Sequence, residues 1–311
     1  MPGMPKRTLD SFATRVQMGT RFRLFMVVEG PDVDPVFYSE LLNAMPDPVA
    51  RASRVVPIDE IGSRGEVSPA GGRISALAAF EHWRSRGLLV QQNSNGRNAI
   101  MVAVDNDLEI DEPALLAEPH LLPTVARDVE GEIISNCDLA AAFRRLAFVD
   151  HPTAEPLAEA AREFIGRVAE NWKLWVLIGM ISRFAASGGE VSWCGSSLIN
   201  TRDDPPDTGK TNTMIAKLRA LFKPSEFDAL AFHTAGRFVE RTAERGSWSV
   251  LKGKWLVPLL IQWLVTERPE LASKKSELKA SCLRTLLAAM DFSAGWTRPY
   301  VVRVQAVTAL C

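Results

Sequence analysis

Two short apolar runs that end in acidic residues constrain the fold of this chain more than any other feature. Residues 25–28 are followed by Glu29, and residues 100–104 are followed by Asp105 and Asp107. Runs this short and apolar on both faces are typical of parallel strands that helices cover on both sides. The sequence therefore predicts two buried strands, each of which delivers carboxylates to its C-terminal tip.

Strand and helix patterns alternate over the first 105 residues. The predicted order is strand, helix, strand, helix, strand, at residues 23–28, 33–45, 54–58, 74–86 and 100–104. This alternation predicts an α/β fold with a parallel sheet flanked by helices. Ligands of such sheets bind outside the carboxyl ends of the strands, which is where the three acidic residues fall.

The remainder of the chain is predicted to be mostly helical. We expect a loose leader at 1–20, the α/β domain at 21–135 and a helical domain at 136–311 that grips substrate or docks a partner. Within the α/β domain, the pattern predicts a polar turn at 91–98 and a further short strand at 124–129. The helices are expected at 140–148, 156–183, 213–222, 224–241, 254–265 and 277–290.

Composition narrows the class of protein without naming a partner. The net charge of −1 shows no global basic excess, although a local basic groove remains compatible with it. The most apolar stretches, 172–181 and 256–265, fall short of the roughly 20 residues that span a bilayer. The four cysteines are far apart and form no zinc motif, so free thiols are expected. We therefore expect a cytoplasmic protein that does not enter a membrane.

The spacing of Asp105 and Asp107 favours a metal site. Strand side chains repeat every two residues, so these two carboxylates point the same way if the strand geometry persists. Two like charges side by side are unfavourable unless a cation lies between them, and Mg²⁺ prefers oxygen ligands. The alternatives are a solvated loop for this pair and an exposed turn acid for Glu29. Gly30, which follows Glu29, allows a tight turn and close approach of a ligand.

Further acidic residues extend the list of candidates. Among Asp128, Glu130 and Glu132, we select Glu130 as the residue that completes the site. The alternative is that all three are acids at a helix N-terminus, stabilised by the helix dipole. Asp32 is expected to cap the first helix, and Asp34 follows it; either could join the metal site.

Two basic residues, Lys252 and Lys254, flank Gly253 where a helix is expected to begin. Lysines beside a glycine at a helix start can bind phosphate, and the alternative is a solvated cap. Residues 208–211 (Thr-Gly-Lys-Thr) resemble the end of a phosphate-binding loop motif, but Asp204 occupies the position where that motif requires its first glycine. We therefore interpret this segment as a surface loop that starts a helix.

These motifs together resemble those of the Toprim domain found in topoisomerases, primases and OLD-type nucleases. That domain has a Glu at the end of a first strand and a DxD at the end of a later one, which match Glu29 and Asp105-Asn106-Asp107. Residues 124–134 and 250–256 resemble two further stretches of an OLD-like group. Unlike the usual family pattern, Val33 occupies the position of the acid at the start of the first helix.

The resemblance implies a Mg²⁺-dependent nuclease, with Mn²⁺ as an alternative ion. Asp105, Asp107 and Glu130 would hold the metal, Glu29 would serve as a ligand or as general base, and Lys252 or Lys254 would neutralise phosphate. The group includes toxic nuclease subunits of anti-phage systems that an ABC-type or SMC-type ATPase holds inactive. The substrate would be RNA, such as tRNA, or DNA, and the oligomeric state is left open, with a homodimer as one option.

Two other functions are compatible with the same motifs. A topoisomerase or primase would need a companion domain, and neither Tyr38 nor Tyr300 lies in a recognisable strand-passage domain. A non-catalytic Toprim scaffold, acting as a regulatory subunit, would keep the fold without the metal chemistry. Metal binding by the wild-type protein discriminates the scaffold from the nuclease.

Overall fold

The computed structural model describes residues 8–61, 72–106, 117–186 and 207–311. The chain divides into two compact units. The first consists of Met1–Val129 together with Asp291–Cys311, and the second is Glu130–Met290. The predicted boundary at residue 135 is thus six residues late, and the last 21 residues belong with the first unit instead of the helical one.

The first unit contains a mixed five-stranded sheet. Its strands are β1 (Leu24–Val28), β2 (Ser53–Pro57), β3 (Val90–Asn93), β4 (Gly96–Val104) and β5 (Leu121–Pro123). The order is β2-β1-β4-β3, and β5 pairs with the second half of β4. All pairs are parallel except β3 with β4. The predicted α/β class and the three predicted parallel strands are confirmed.

Helices of the first unit pack against the sheet and bury its strands. Those of the first unit are α1 (Leu9–Met18), α2 (Asp34–Ala44), α3 (Pro48–Arg51), α4 (Gly72–Ser85) and α12 (Arg298–Thr308). Every residue of β1 is buried, as is expected of a central parallel strand. One core cluster joins α1 and α4 to the sheet through side chains such as Phe12, Trp83 and Ile100.

Helix α1 replaces the loose leader that was predicted for residues 1–20. Thr8 caps the helix, because its hydroxyl accepts a hydrogen bond from the Ser11 amide at 3.0 Å. Leu9, Phe12 and Val16 are fully buried on one face, and the Trp83 indole donates to the Leu9 carbonyl. Residues 9–18 therefore form a helix that packs into the core of the first unit.

The polar turn predicted at residues 91–98 is instead most of a β-hairpin. Residues 90–93 and 96–99 pair antiparallel across Ser94 and Asn95, and Gly96 takes a φ of +124°. The Asn-Gly step is a typical hairpin signal. The strand expected at 124–129 is also misplaced, because the strand occupies Leu121–Pro123 and the chain leaves the sheet at Thr124.

The segment Asp291–Cys311 is tied to the first unit by aromatic packing and hydrogen bonds. The Phe37 ring of α2 lies 5.6 Å from the Phe292 ring and 6.4 Å from the Tyr300 ring, measured between centroids. The Tyr300 hydroxyl accepts a hydrogen bond from the Val125 amide at 2.9 Å. Arg303 donates to the carbonyl of Leu121 at 2.7 Å. This segment therefore braces β5 and the loop that follows it.

The second unit is helical, as predicted. Its helices are α5 (Val129–Asn136, whose first residue belongs to the first unit), α6 (Leu139–Leu146), α7 (His151–Ala186), α8 (Thr208–Leu221), α9 (Pro224–Arg245), α10 (Gly253–Glu267) and α11 (Lys275–Leu287). The 36-residue α7 contacts α6, α8, α9 and α10. Its Trp172 and Phe164 pack against Trp255 and Trp263 of α10, with centroids 5.6 and 5.7 Å apart. Over the described residues, the helices lack the length and apolarity needed to cross a membrane.

Candidate functional site

Glu29 and Asp105 meet at the carboxyl edge of the parallel sheet. They directly follow β1 and β4, which are hydrogen-bonded neighbours in a parallel register from Leu24 with Ala99 onward. The backbone amide of Asp105 donates to Glu29 Oε1 at 2.7 Å. Both side chains are half-buried. The structure thus brings together two residues that lie 76 positions apart and that the strand-end rule predicted to be close.

The turn after β1 brings a second acid to this edge. The Gly30 amide donates to Asp34 Oδ2 at 2.8 Å. A Cβ at Gly30 would lie 3.2 Å from the same oxygen, so the turn leaves little room for a side chain. The prediction that Asp32 caps α2 is wrong: Val33 is the N-cap residue and makes no side-chain cap, while Asp32 is exposed. Asp34, half-buried in the first turn, is the acid that faces Gly30.

The segment after β4 is fixed by a threonine that the sequence analysis did not select. The Asn106 amide donates to Thr124 Oγ1 at 2.8 Å, and that hydroxyl donates to the Ala126 carbonyl at 2.9 Å. The Thr124 amide also donates to the Val104 carbonyl at 3.0 Å. Thr124 is 1% exposed and therefore acts as an internal link between the loops that follow β4 and β5.

Asn106 carries a buried acceptor at the same place. Its side chain is 6% exposed, and its Oδ1 has no hydrogen-bond partner among the described residues. Buried polar atoms are nearly always satisfied in proteins, so this oxygen is expected to bind a water, an ion, a ligand atom or a residue outside the described ranges. The only sequence signal for this residue was its position between Asp105 and Asp107.

The predicted metal ligands are only partly within the described structure. Asp107 lies outside the described residues. Among those that are described, no group of three or more His, Cys, Asp or Glu side chains is arranged to hold a metal ion. The side-chain oxygens of Glu29, Asp105 and Asn106 are hard donors, which suit Mg²⁺ or Mn²⁺ and would not select a thiophilic metal.

The third acidic cluster straddles the start of α5. Asp128 and Glu132 are buried, at 3% and 2% exposure, whereas Glu130, the residue that the sequence analysis selected, is half-buried. The neighbouring Arg127 is also buried, at 2% exposure. A charged group tolerates such burial only when it is paired or hydrogen-bonded. The structure therefore buries two acids and one arginine where α5 begins, and it leaves Glu130 the more accessible of the three candidate acids.

Glu130 and the lysine pair come together inside the second unit. A Cβ placed on Gly253 would overlap the Gly131 amide nitrogen and the Glu130 Cβ, so α10 begins in direct backbone contact with the first turn of α5. Lys252, the N-cap residue of α10, is half-buried, and Lys254 is exposed. Two helix N-termini meet here, and the partial positive charge of each favours anions.

Other candidates are resolved more simply. Asp207 caps α8, because Oδ1 accepts from the Lys210 amide at 3.1 Å, so the Thr-Gly-Lys-Thr stretch starts a helix as predicted. Cys137, Cys282 and Cys311 are free thiols, and Cys194 lies outside the described residues. Burial raises the pKa of Cys137 and of Cys282 to about 12, so both are protonated and unsuited to nucleophilic or metal-binding roles.

A cavity of about 340 Å³ also lies within the second unit. Its lining is mostly apolar, with Arg162 as its one charged residue. The lining residues are Ile134, Ser135, Cys137, Leu139, Arg162, Ile165, Gly166 and Gly246. None of the predicted site residues lines it, and it contains no carboxylate that would serve a metal.

Comparison with known proteins assigns no family. The sequence matches no protein-family model, and no curated protein matches it either.

Proposed function

We propose that this protein is a Mg²⁺-dependent nuclease that hydrolyses phosphodiester bonds in RNA or DNA. The observation that carries the proposal is the meeting of Glu29 and Asp105 at the carboxyl edge of two neighbouring parallel strands, with the Asp105 amide bound to Glu29 Oε1. Carboxylates held at such an edge are placed where α/β proteins bind their ligands. The resemblance to the Toprim domain extends the proposal to the missing member, Asp107.

The candidate side chains at this edge carry oxygen donors of the kind that a hard divalent cation prefers. Asp105 and Asp107, with the Asn106 amide oxygen as a further donor, would hold Mg²⁺ or Mn²⁺. Such an ion polarises a scissile phosphate and stabilises the charge that develops on it. The bond from the Asp105 amide fixes the orientation of the Glu29 carboxylate, which would complete the ligand set or accept the proton of the attacking water.

Residues outside the sheet edge have supporting roles in the proposal. Lys252 and Lys254 would bind phosphate groups of the substrate, because they flank a helix N-terminus that already favours anions. The contact of Gly253 with Glu130 and Gly131 fixes the position of this helix start within the second unit. Glu130 would orient Lys252 or Lys254, and its role as a metal ligand stays a prediction.

The biological setting is proposed from the resemblance alone. In the OLD-like group, the nuclease is a toxic effector of anti-phage defence that a partner ABC-type or SMC-type ATPase keeps inactive. We propose the same control for this chain. An ATPase of this class encoded beside it would support the proposal, and co-purification of the two proteins would test it directly.

The nuclease proposal is tested with matched charge-removing variants. We expect Glu29→Gln and Asp105→Asn to lower the Mg²⁺-dependent cleavage rate by about 10²–10⁴-fold, the usual contribution of a positioned proton acceptor or ligand. Asp32→Asn is the control, because Asp32 is an exposed acid three residues from Glu29. Cleavage is measured on labelled RNA, tRNA and DNA, with Mg²⁺, with Mn²⁺ and with chelator.

Two results would contradict this assignment. The first is a folded Glu29→Gln variant that cleaves as fast as the wild-type protein. The second is equal loss of cleavage in Asp32→Asn, which would show a general charge effect. Absence of cleavage, together with no heat of Mg²⁺ or Mn²⁺ binding in calorimetry of the wild-type protein, would favour the non-catalytic scaffold.

A further inference from the structure

Phe148 occupies an unfavourable backbone conformation at the end of α6. The helix ends at Ala147, whose amide donates to the Phe143 carbonyl at 2.8 Å, and Phe148 follows with a φ of +53°. Among the described non-glycine residues, this is the one positive φ. The position after a helix C-cap is commonly left-handed, and glycine usually occupies it because a Cβ is strained there.

The side chain gains no burial in exchange for this strain. Phe148 is 73% exposed, although aromatic side chains normally bury most of their surface. Backbone strain that the local packing does not explain is concentrated at functional sites in proteins. The Phe148 ring is thus exposed to solvent at the end of a helix. Glycine would adopt the backbone conformation of this position with less strain.

One cation contacts this ring, and two more lie in the helix turn that precedes it. Lys274 Nζ lies 4.5 Å from the ring centroid, and Arg144 and Arg145 are exposed in the last turn of α6, one turn before Phe148. Within the described parts of the chain, none of these three cations is in ion-pair distance of a carboxylate. Lys275, which follows Lys274, donates to the Gln262 side chain instead.

The acids of the two segments only partly offset these cations. Asp150 caps α7 by accepting a hydrogen bond from the Thr153 amide at 3.2 Å, and its hydrogen bonds with Thr153 lower the pKa of its carboxyl, so it stays negatively charged. Glu270 is bound to Arg268 at 2.5 Å. Glu277 is exposed in the first turn of α11. With Glu270 paired to Arg268, the four cations Arg144, Arg145, Lys274 and Lys275 outnumber the acids Asp150 and Glu277, so these groups carry a net positive charge.

We propose that Phe148, Arg144, Arg145 and Lys274 form a stacking platform that binds single-stranded nucleic acid. A base would stack on the Phe148 ring, and the three cations would bind the adjoining phosphates, which is how proteins hold single strands with little sequence preference. A duplex fits less well, because its bases stack on one another. An isolated ring also offers too little apolar area to anchor a membrane.

The role of the platform in holding a nuclease substrate rests on the proposed nuclease function. Its ability to bind a single strand does not. In a nuclease, it would hold the substrate on the helical unit and would favour unpaired segments such as RNA loops. The binding itself needs no metal ion and no catalytic residue. It can therefore be measured in chelator, where failure of the platform and failure of the nuclease proposal are separable.

The test measures anisotropy of a fluorescein-labelled single-stranded oligonucleotide, as RNA and as DNA, with the full chain in EDTA. We expect Phe148→Gly to weaken binding about 5- to 150-fold, the loss that accompanies removal of one stacked base. Phe148→Trp should retain binding. Phe232→Ala is the matched control, because Phe232 is 84% exposed on α9 of the same unit, and it should bind as the wild type does.

The charge arm uses pairs of substitutions. Arg144→Ser with Arg145→Ser should lower the slope of log binding constant against log salt by about 1.4, at about 0.7 for each lost phosphate contact on a single strand. Lys210→Ser with Lys217→Ser is the control on the exposed face of α8. The unfolding midpoint of Phe148→Gly should equal or exceed that of the wild type, because glycine relieves the left-handed strain.

Several results would overturn the platform. Wild-type affinity in Phe148→Gly, or an equal loss in Phe232→Ala, would remove the stacking role. Loss of binding in Phe148→Trp, with a lowered unfolding midpoint in Phe148→Gly, would make Phe148 a packing residue. Adsorption to phosphatidylserine vesicles without oligonucleotide binding would assign the surface to membranes. A platform that binds oligonucleotides in a protein that cleaves nothing would contradict only the nuclease proposal.

Discussion

The Thr124 hydroxyl should be essential to the order of the candidate site. Thr124→Val keeps the shape of the side chain but leaves the Asn106 amide and the Ala126 carbonyl without their partners, both of which belong to buried residues. An unsatisfied buried group costs about 1–3 kcal/mol, so the two together should lower the free energy of unfolding by about 2–6 kcal/mol. Thr124→Ser keeps the hydroxyl and loses one methyl group, which costs about 1 kcal/mol.

Two assays separate this local effect from a general loss of stability. Urea unfolding gives the free energy of each variant, and cleavage in a titration of Mg²⁺ gives the apparent metal affinity at a temperature where both variants are folded. We expect half-maximal cleavage by Thr124→Val to require more Mg²⁺ than half-maximal cleavage by Thr124→Ser. The reason is that the Asn106 amide, next to Asp105, loses its hydrogen-bond acceptor. Equal stability of the two variants, or a Thr124→Ser variant that is the less stable, would refute the argument.

Two further predictions concern single residues. Gly253→Ala should lower the free energy of unfolding by about 1–3 kcal/mol, because its Cβ would overlap the Glu130–Gly131 backbone; Gly236→Ala on α9, where a Cβ meets nothing, should raise it by up to about 1 kcal/mol. Burial lowers the pKa of His120 below its ordinary value of about 6.5. As the pH falls, the imidazole is therefore protonated in the unfolded chain before it is protonated in the folded protein. The free energy of unfolding should fall as the pH drops from about 6.5 through the folded-state pKa. Urea unfolding between pH 7.5 and 5 should show this fall in the free energy of unfolding for the wild type and a smaller fall for His120→Gln. Equal pH dependence of the two proteins would contradict the prediction.

The parts of the fold that rest on local patterns were predictable. The buried runs before Glu29 and Asp105 identified β1 and β4, and the rule that parallel strands end at one edge predicted the contact between these acids. Two local signals were present but misjudged. Leu9, Phe12 and Val16 have the spacing of a helix face, and the Asn95-Gly96 step marks the hairpin whose turn is Ser94-Asn95.

The remaining features depend on contacts that no local pattern encodes. Tyr300 binds Val125 across 175 positions, and Gly253 touches the Glu130–Gly131 backbone from another helix. Each depends on how distant elements pack, which periodicity and propensity do not specify. The different burial of Asp128, Glu130 and Glu132 also depends on tertiary packing, which the sequence of a short charged stretch does not reveal.

The return of Asp291–Cys311 to the first unit makes Glu130–Met290 an insertion within it. During synthesis on a ribosome, the strands that carry Glu29 and Asp105 emerge long before Tyr300, whose hydroxyl receives the Val125 amide in the loop beside them. An incomplete chain therefore has the strands that carry both acids but lacks the Tyr300 hydroxyl that holds the loop after β5. The first unit can be completed only after the whole of Glu130–Met290 has been synthesised.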